Sequence, residues 1–552
     1  MNFKIRQILN AFSKKERLTF FGSLALFIIA TIYVSANFVR ANTIFEPVAG
    51  GQYTEGKVGQ PVFINPVIAS TDADSDIIEL VFASINDLKD GDIDIENSGR
   101  VWKLRIKGDI SWQDGSPITS DDIIFTIKAI QDPDANSSLF PDWQGVKTER
   151  VSSREIKLIL SAPYVFFENT LINLRPIPKH IFGDIPFSNI RLSDYNLIDP
   201  VGSGPFKFYD LKKRRDGFIT DYELVKNESY FNQNPYLDKF TFKFYTSEKD
   251  AINAFNGGAI NGLGAVSYGN LDEITAPHKT EAVNMPRYYG IFFNQSVNPV
   301  LKDISVRKAL DLAIDRERII KDIFKEMAIP LIGPLAPGIN GYSDNFFKQQ
   351  NEFSADKAKD LLEASGWRIS SDNVRENSEK NARLEFSLIL PEIPFIIDSA
   401  KMIREDWQKI GVKINLDIKP NDEIFSDTIK PRDYEMILFG NIYGKNPDLF
   451  SFWHSSQKFH PGLNLALYEN KDVDFLINSI RTDFSADNRK EKMLQAQSLI
   501  KNGYPAIFLF SPPYIYIQSK SLNGFEEKIL PLPSGRLENI ENWYTKTERV
   551  FK

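Results

Sequence analysis

The sequence predicts an α/β protein of two lobes preceded by one membrane-crossing helix, and three observations lead there. Segments with helical spacing of apolar residues alternate with segments of strand spacing, which favours α/β or α+β over a sandwich or a bundle. The 552 residues exceed what a single core holds, so at least two lobes are needed. Near the start, "LTFFGSLALFIIATIYVSA" (18–36) carries no charge at all.

That run approaches the roughly 20 apolar residues that cross a bilayer and exceeds the roughly 7–15 of a signal-peptide core. Lys4, Arg6, Lys14, Lys15 and Arg17 precede it and should stay cytoplasmic, which puts the body outside the membrane. The expected organisation is a basic segment at 1–17, an anchor at 18–38 and a linker at 39–51, rich in Gly and Pro toward its end. Length favours an uncleaved single-pass anchor in the plasma membrane. Small residues at Val34-Ser35-Ala36 and Ala41 support the alternative, a cleaved signal and a secreted or periplasmic body.

"WKLRIK" alternates as a strand, with Trp102, Leu104 and Ile106 on one face. In "TSDDIIFTIKAIQDP", Thr119 and Asp122 form a capping box, and Ile123, Ile124, Ile127 and Ile130 follow at helical spacing. "PVGSGPFKF" (200–208) reads as a glycine turn feeding a strand. "DKFTFKFYT" sets Phe240, Phe242 and Phe244 on one strand face, and "DAINAFNGGAINGL" is a short helix stopped by glycines. A second unit begins near residue 287 with the strand "RYYGIFFN" and one helix over "DISVRKALDLAIDRERII". A helix from Ser354 to Gly366, another marked by Ala400, Ile403, Trp407 and Ile410, and the strand "VKINLDI" continue the alternation.

Composition excludes several chemistries. With no cysteine there is no disulfide, thiolate nucleophile, Cys-ligated zinc or lipid-modified cysteine. A net charge of −7 with acids and bases interspersed gives no nucleic-acid footprint. Ser203 stands in Gly-Ser-Gly with Pro205 after it, which is neither a nucleophile elbow nor a phosphate loop. The four histidines, His180, His278, His454 and His460, have no tight metal spacing, so neither a metal site nor a cofactor is expected. No catalytic residue can be nominated. What is abundant is aromatic: 42 Phe, 20 Tyr and 7 Trp, with clusters where loops follow strands at Tyr288-Tyr289 and at Phe450, Phe452 and Trp453. Planar side chains beside amides and hydroxyls make apolar pockets with a few polar anchors, which suits a binding cleft.

Six segments in order resemble the peptide-type solute-binding proteins of ABC importers, the oligopeptide- and dipeptide-binding group known as family 5. They are "SWQDGSPITSDDIIFTIKAIQDP", "PVGSGPFKF", "NESYFNQNPYLDKFTFKFYTSEKDAINAFNGGAING", "FFNQSVNPVLKDISVRKALDLAIDRERII", "AKDLLEASGW" and "DYEMILFGNIYGKNPDLFSFWHSSQ". The resemblance runs from about Gln52 to Asn542. It implies a venus-flytrap, periplasmic-binding-protein-like fold of type II. Lobe I would span 52–286, lobe II 287–510, and 511–552 would complete lobe I. Peptide would close the lobes around itself, and the partners would be permease subunits of an ABC transporter, with the protein a monomer.

The same resemblance points to Tyr289, Asn294, Tyr443, Asn446, Asp448, Trp453 and Gln457 as ligand-facing. Where the family places an Asp for the peptide ammonium, this sequence has Tyr443; Asp448 substitutes for it only if the loop register differs, and otherwise the ligand is longer, blocked at its end or not a peptide. Arg307 and Asp315 also match the motifs and are assigned to structural bonding. Two alternatives stand beside peptide capture. One is an anchored binder or sensor of another solute (a sugar, haem or a metal chelate), although segment 1–17 is too short for a signalling domain. The other is an extracytoplasmic hydrolase.

Overall fold

The computed structural model describes residues 12–342, 353–443 and 447–551. Its first element is the helix Lys14–Asn42, opened by a capping box in which Ser13 N–H donates to Glu16 Oε2 at 2.8 Å. None of its residues is buried. At 1.5 Å per residue its 29 residues extend about 44 Å, beyond the roughly 30 Å hydrocarbon thickness of a bilayer. It therefore overruns the expected 18–38 at both ends. The next stretch is also not a free linker. Thr43–Pro47 forms a strand paired antiparallel with Thr547–Phe551, and Gly50 N–H donates to Tyr236 O at 2.7 Å.

Among the described residues the body is organised on two large sheets. The first has seven strands in the order His278–Val283, Tyr514–Ser519, Gly262–Gly264, Gln52–Val58, Lys239–Tyr245, Ile219–Lys226 and Phe206–Lys213. The second has six: Ile329–Pro330, Ala506–Ser511, Arg287–Phe293, Met436–Ile442, Glu385–Pro391 and Lys413–Lys419. Both are mixed, with parallel pairs at 52–58/239–245 and 385–391/413–419. The chain passes from the first sheet to the second through 284–286 and returns through 512–513. These two short crossings give a two-lobed molecule. A four-stranded antiparallel sheet, Asp94–Glu96, Val101–Arg105, Glu155–Ile159 and Lys147–Ser152, extends the first lobe.

The period-2 pattern sorts side chains as a pleated strand requires. Phe240, Phe242 and Phe244 are buried in the first core with Trp102, Trp112, Trp143 and Trp543. Along Arg287–Phe293, Tyr288 and Phe292 join one core while Ile291 and Phe293 join the core on the opposite sheet face. The helix Ser120–Gln131 starts at the expected Thr119–Asp122 capping box. One element differs. "DISVRKALDLAIDRERII" forms two helices, Ile304–Leu312 and Arg316–Phe324, because the Asp315 carboxylate accepts from Arg318 N at 3.0 Å and starts the second. Arg307 then donates to the carbonyls of Leu301, Gly503 and Tyr504, a structural role without an ion pair among the described residues.

A buried ionic cluster fastens the C-terminal segment to the first lobe. Arg536 donates to Asp76 Oδ1 and Oδ2, both at 2.7 Å, and to Glu55 Oε1. Lys57 Nζ lies 2.6 Å from Asp76, and Tyr516 OH donates to Glu55 Oε2 at 2.9 Å. Two cations face two carboxylates, so charge is balanced where solvent is excluded. Burial opposes the ionisation of Asp76, yet Arg536 and Lys57 outweigh it and hold its carboxyl below the usual range.

Candidate ligand-binding cleft

Where Met436–Ile442 ends, at the carboxyl end of a strand that runs parallel with Glu385–Pro391, the chain enters a cavity of about 470 Å³ between the lobes. Ligands of open α/β sheets gather at such strand ends. The first lobe contributes Trp143, Tyr164, Phe166, Asn169, Thr170 and Asn173; the second contributes Tyr443, Asp448, Ser451 and Phe452. The volume lies within the range of about 300–1,000 Å³ typical of small-molecule sites. Phe166 and Pro447 also border a neighbouring cavity of about 230 Å³, lined further by Arg489, Lys490 and Met493.

Tyr443 is almost fully buried in the cavity wall. Its ring stacks on Tyr288 at 5.9 Å and meets the edge of Phe452 at 5.0 Å, while its hydroxyl accepts from Trp453 Nε1 at 3.2 Å. Burial pushes its phenol well above the ordinary value, so it stays neutral. A neutral aromatic therefore occupies the position that the resemblance aligns with an ammonium-binding Asp of other members.

Asp448 is next to it, but its charge is already answered. Arg481 Nε lies 3.0 Å from Oδ2, Tyr164 OH donates to the same oxygen at 3.0 Å, and Phe450 N–H donates to Oδ1 at 3.0 Å. The Arg481 guanidinium in turn lies over the rings of Phe450, 4.1 Å away, and Tyr164, 4.8 Å away. Since Tyr164 comes from the first lobe, this group also joins the two lobes. A second junction adds to it: Val165 N–H donates to Arg481 O at 2.8 Å, and Phe484 packs on Trp102 and over Gly99. Asp142 lines the same cavity from the first lobe with no cation paired to it among the described residues.

The structure brings Tyr443, Asp448 and Trp453 together, Trp453 as the fully buried support behind Tyr443. It does not bring the others to the cavity wall. Tyr289 is on the opposite sheet face, edge-on to Phe395 at 5.2 Å. Asn294 is buried in a turn, donating to Arg432 O and accepting from Ser296 and Val297 N–H. Gln457 donates to Ser456 Oγ, and its backbone carbonyl accepts from Asn464 N–H. Asn446 lies outside the described residues. Sequence reasoning missed Tyr164, Phe166 and Arg481. The two aromatics follow the strand Glu155–Ile159, the loop-after-strand signal that holds for Phe450, Phe452 and Trp453, whereas Tyr288-Tyr289 lies within the strand Arg287–Phe293 and not in a loop after one. Arg481 lies in the last turn of the helix Lys471–Thr482 and carried no signal.

Ser203 is far from any nucleophilic arrangement. It is buried, its Oγ accepts from Ala83 N–H at 3.1 Å, and its own N–H donates to Val81 O at 3.0 Å. Among the described residues, no group of three His, Asp or Glu is placed to hold a metal ion.

A profile of bacterial extracellular solute-binding proteins, family 5 Middle, matches residues 83–461. The oligopeptide-binding protein AppA of Bacillus subtilis (strain 168) is 24% identical over 555 residues, spanning 96% of this chain and 99% of its own. The solved structure of Bacillus subtilis AppA in complex with a nonapeptide covers 91% of this chain and all of that one, with a TM-score of 0.70 and 25% identity. NikZ from Campylobacter jejuni, solved in complex with Ni(L-His), has a TM-score of 0.71 at 24% identity and covers 89% of this chain and 99% of its own. The likeness to NikZ is one of fold.

Proposed function

The chain belongs to the bacterial extracellular solute-binding proteins of family 5, and from that premise we propose a membrane-anchored receptor that takes peptides between its lobes and delivers them to an ABC importer. The observation that carries this reading is the cavity lined from both lobes, with aromatic walls and the amides of Asn169 and Asn173. Such a lining holds a peptide backbone through hydrogen bonds and leaves its side chains in roomy, hydrated space. Asp448 is the one carboxylate that the described second-lobe residues bring to this cavity, and Arg481 already neutralises it.

In this reading the moving bodies are 52–286 with 511–552, and 287–510. They hinge at the two crossings, and ligand selects the closed form because it touches both bodies only there. The protein binds without turnover, and Lys14–Asn42 is retained as the anchor of an extracytoplasmic body. Titration calorimetry on the full chain in detergent tests this with single peptides of defined length, an oligosaccharide and a nickel–histidine complex. Saturable peptide binding that weakens at least about tenfold in Thr170→Trp, which fills the cavity, supports it. Saturable binding of the sugar or the chelate, with none for any peptide, overturns it.

A further inference from the structure

The ribbon formed by Thr43–Pro47 and Thr547–Phe551 begins directly where the helix Lys14–Asn42 ends. Its register pairs Thr43 with Phe551, Phe45 with Arg549 and Pro47 with Thr547 on one face. The other face carries Ile44 opposite Val550 and Glu46 opposite Glu548. The first face is therefore aromatic and basic, and the second holds two like charges that need water. Phe45 is 64% exposed and Phe551 70%, and the Arg549 guanidinium lies 4.8 Å over the Phe45 ring. A two-stranded ribbon with a bare aromatic face is marginal in water by itself.

We propose that the Phe45–Arg549–Phe551 face of this ribbon lies on the outer lipid layer of the membrane that the preceding helix crosses. The rings enter the boundary between headgroups and acyl chains, and Arg549, with Arg40 in the last helical turn, meets lipid phosphates. Continuity selects lipid as the occupant: no residue separates the end of the helix from the first residue of the ribbon. The consequence is a fixed stance. The body is held against the membrane by the paired strands Thr43–Pro47 and Thr547–Phe551, not suspended on a loose tether. The proposal rests on the reading of Lys14–Asn42 as a retained anchor.

Because the chain has no cysteine, single nitroxide labels can be placed without background. The full chain is reconstituted in vesicles of phosphatidylcholine and phosphatidylglycerol with a label at Thr547→Cys or Thr43→Cys on the aromatic face, or at Glu548→Cys on the other. Collision with oxygen, which concentrates in lipid, is compared with collision with a water-soluble nickel chelate. The expected result is an oxygen-to-nickel ratio several-fold higher at 547 and 43 than at 548, lost when Phe45→Ser, Arg549→Glu and Phe551→Ser are combined. Equal, water-like ratios at all three sites overturn the proposal. Intact mass of the chain recovered from cells tests the anchor reading separately: a start at Met1 supports it, and a start after Ala36 or Ala41 removes it and the proposal with it.

Discussion

Ser203 shows how a residue that resembles a catalytic one is fixed by packing. Ser203→Ala leaves the Ala83 N–H buried without its acceptor and should cost about 1–3 kcal/mol of stability, read by denaturant unfolding, with peptide affinity unchanged. Gly202→Ala should be worse, since a Cβ there falls 1.9 Å from Val81 O. Glu541 offers a pH test. Burial, with Asp87, Glu538 and Glu79 nearby, raises its carboxyl to about 7 from an ordinary value of 4.5. Its neutral form stabilises the fold fully below about 4.5, and that contribution is lost as pH rises through about 7. Glu541→Gln should therefore flatten the fall of the melting temperature between those values. The Thr119 and Asp122 cap was legible because capping is local chemistry. Asn294 was misleading for the opposite reason: an asparagine in a loop reads the same whether it faces ligand or, as here, satisfies three backbone groups.

At the scale of elements, strands were legible wherever one face is buried, as at Phe240, Phe242 and Phe244, because alternation records burial directly. The split of one expected helix at Asp315 was not, since its apolar stripe continues through the break and only the cap marks it. The linker expectation failed at Thr43–Pro47 because its partner strand is some five hundred residues away, beyond the reach of any local pattern. The Arg536 cluster was equally hidden, joining residues 55, 57, 76 and 536. Arg536→Met leaves two buried carboxylates with Lys57 alone and should destabilise the protein by about 3–5 kcal/mol. With Asp76 held below its ordinary value, the wild-type cluster should contribute fully above that value and fail as pH falls through the lowered one. Acid unfolding monitored by the buried tryptophans checks this: the variant should lose that steep acid limb.

Across the whole molecule, the two-lobed plan was foreseen from length and motif order, and of the seven residues named as ligand-facing the cavity wall holds Tyr443 and Asp448. The first-lobe half of the cleft was not foreseen, because only the tertiary fold brings Tyr164 to Asp448 and sets Phe166 on a cavity that Pro447 also lines. Closure should depend on those contacts as well as on ligand. Gly99, at φ +93°, accepts the Phe484 ring where a Cβ would lie 2.2 Å from it. Gly99→Val should open the lobes, enlarging the radius of gyration measured by X-ray scattering. Apparent peptide affinity should fall in proportion to the closed fraction lost. Whether the space between the lobes is a peptide site is decided by denaturing the purified full chain and identifying what it releases by mass spectrometry. A mixture of peptides, absent from Thr170→Trp prepared in parallel, is the expected result; release of a sugar, haem or a metal chelate in place of peptides would contradict it.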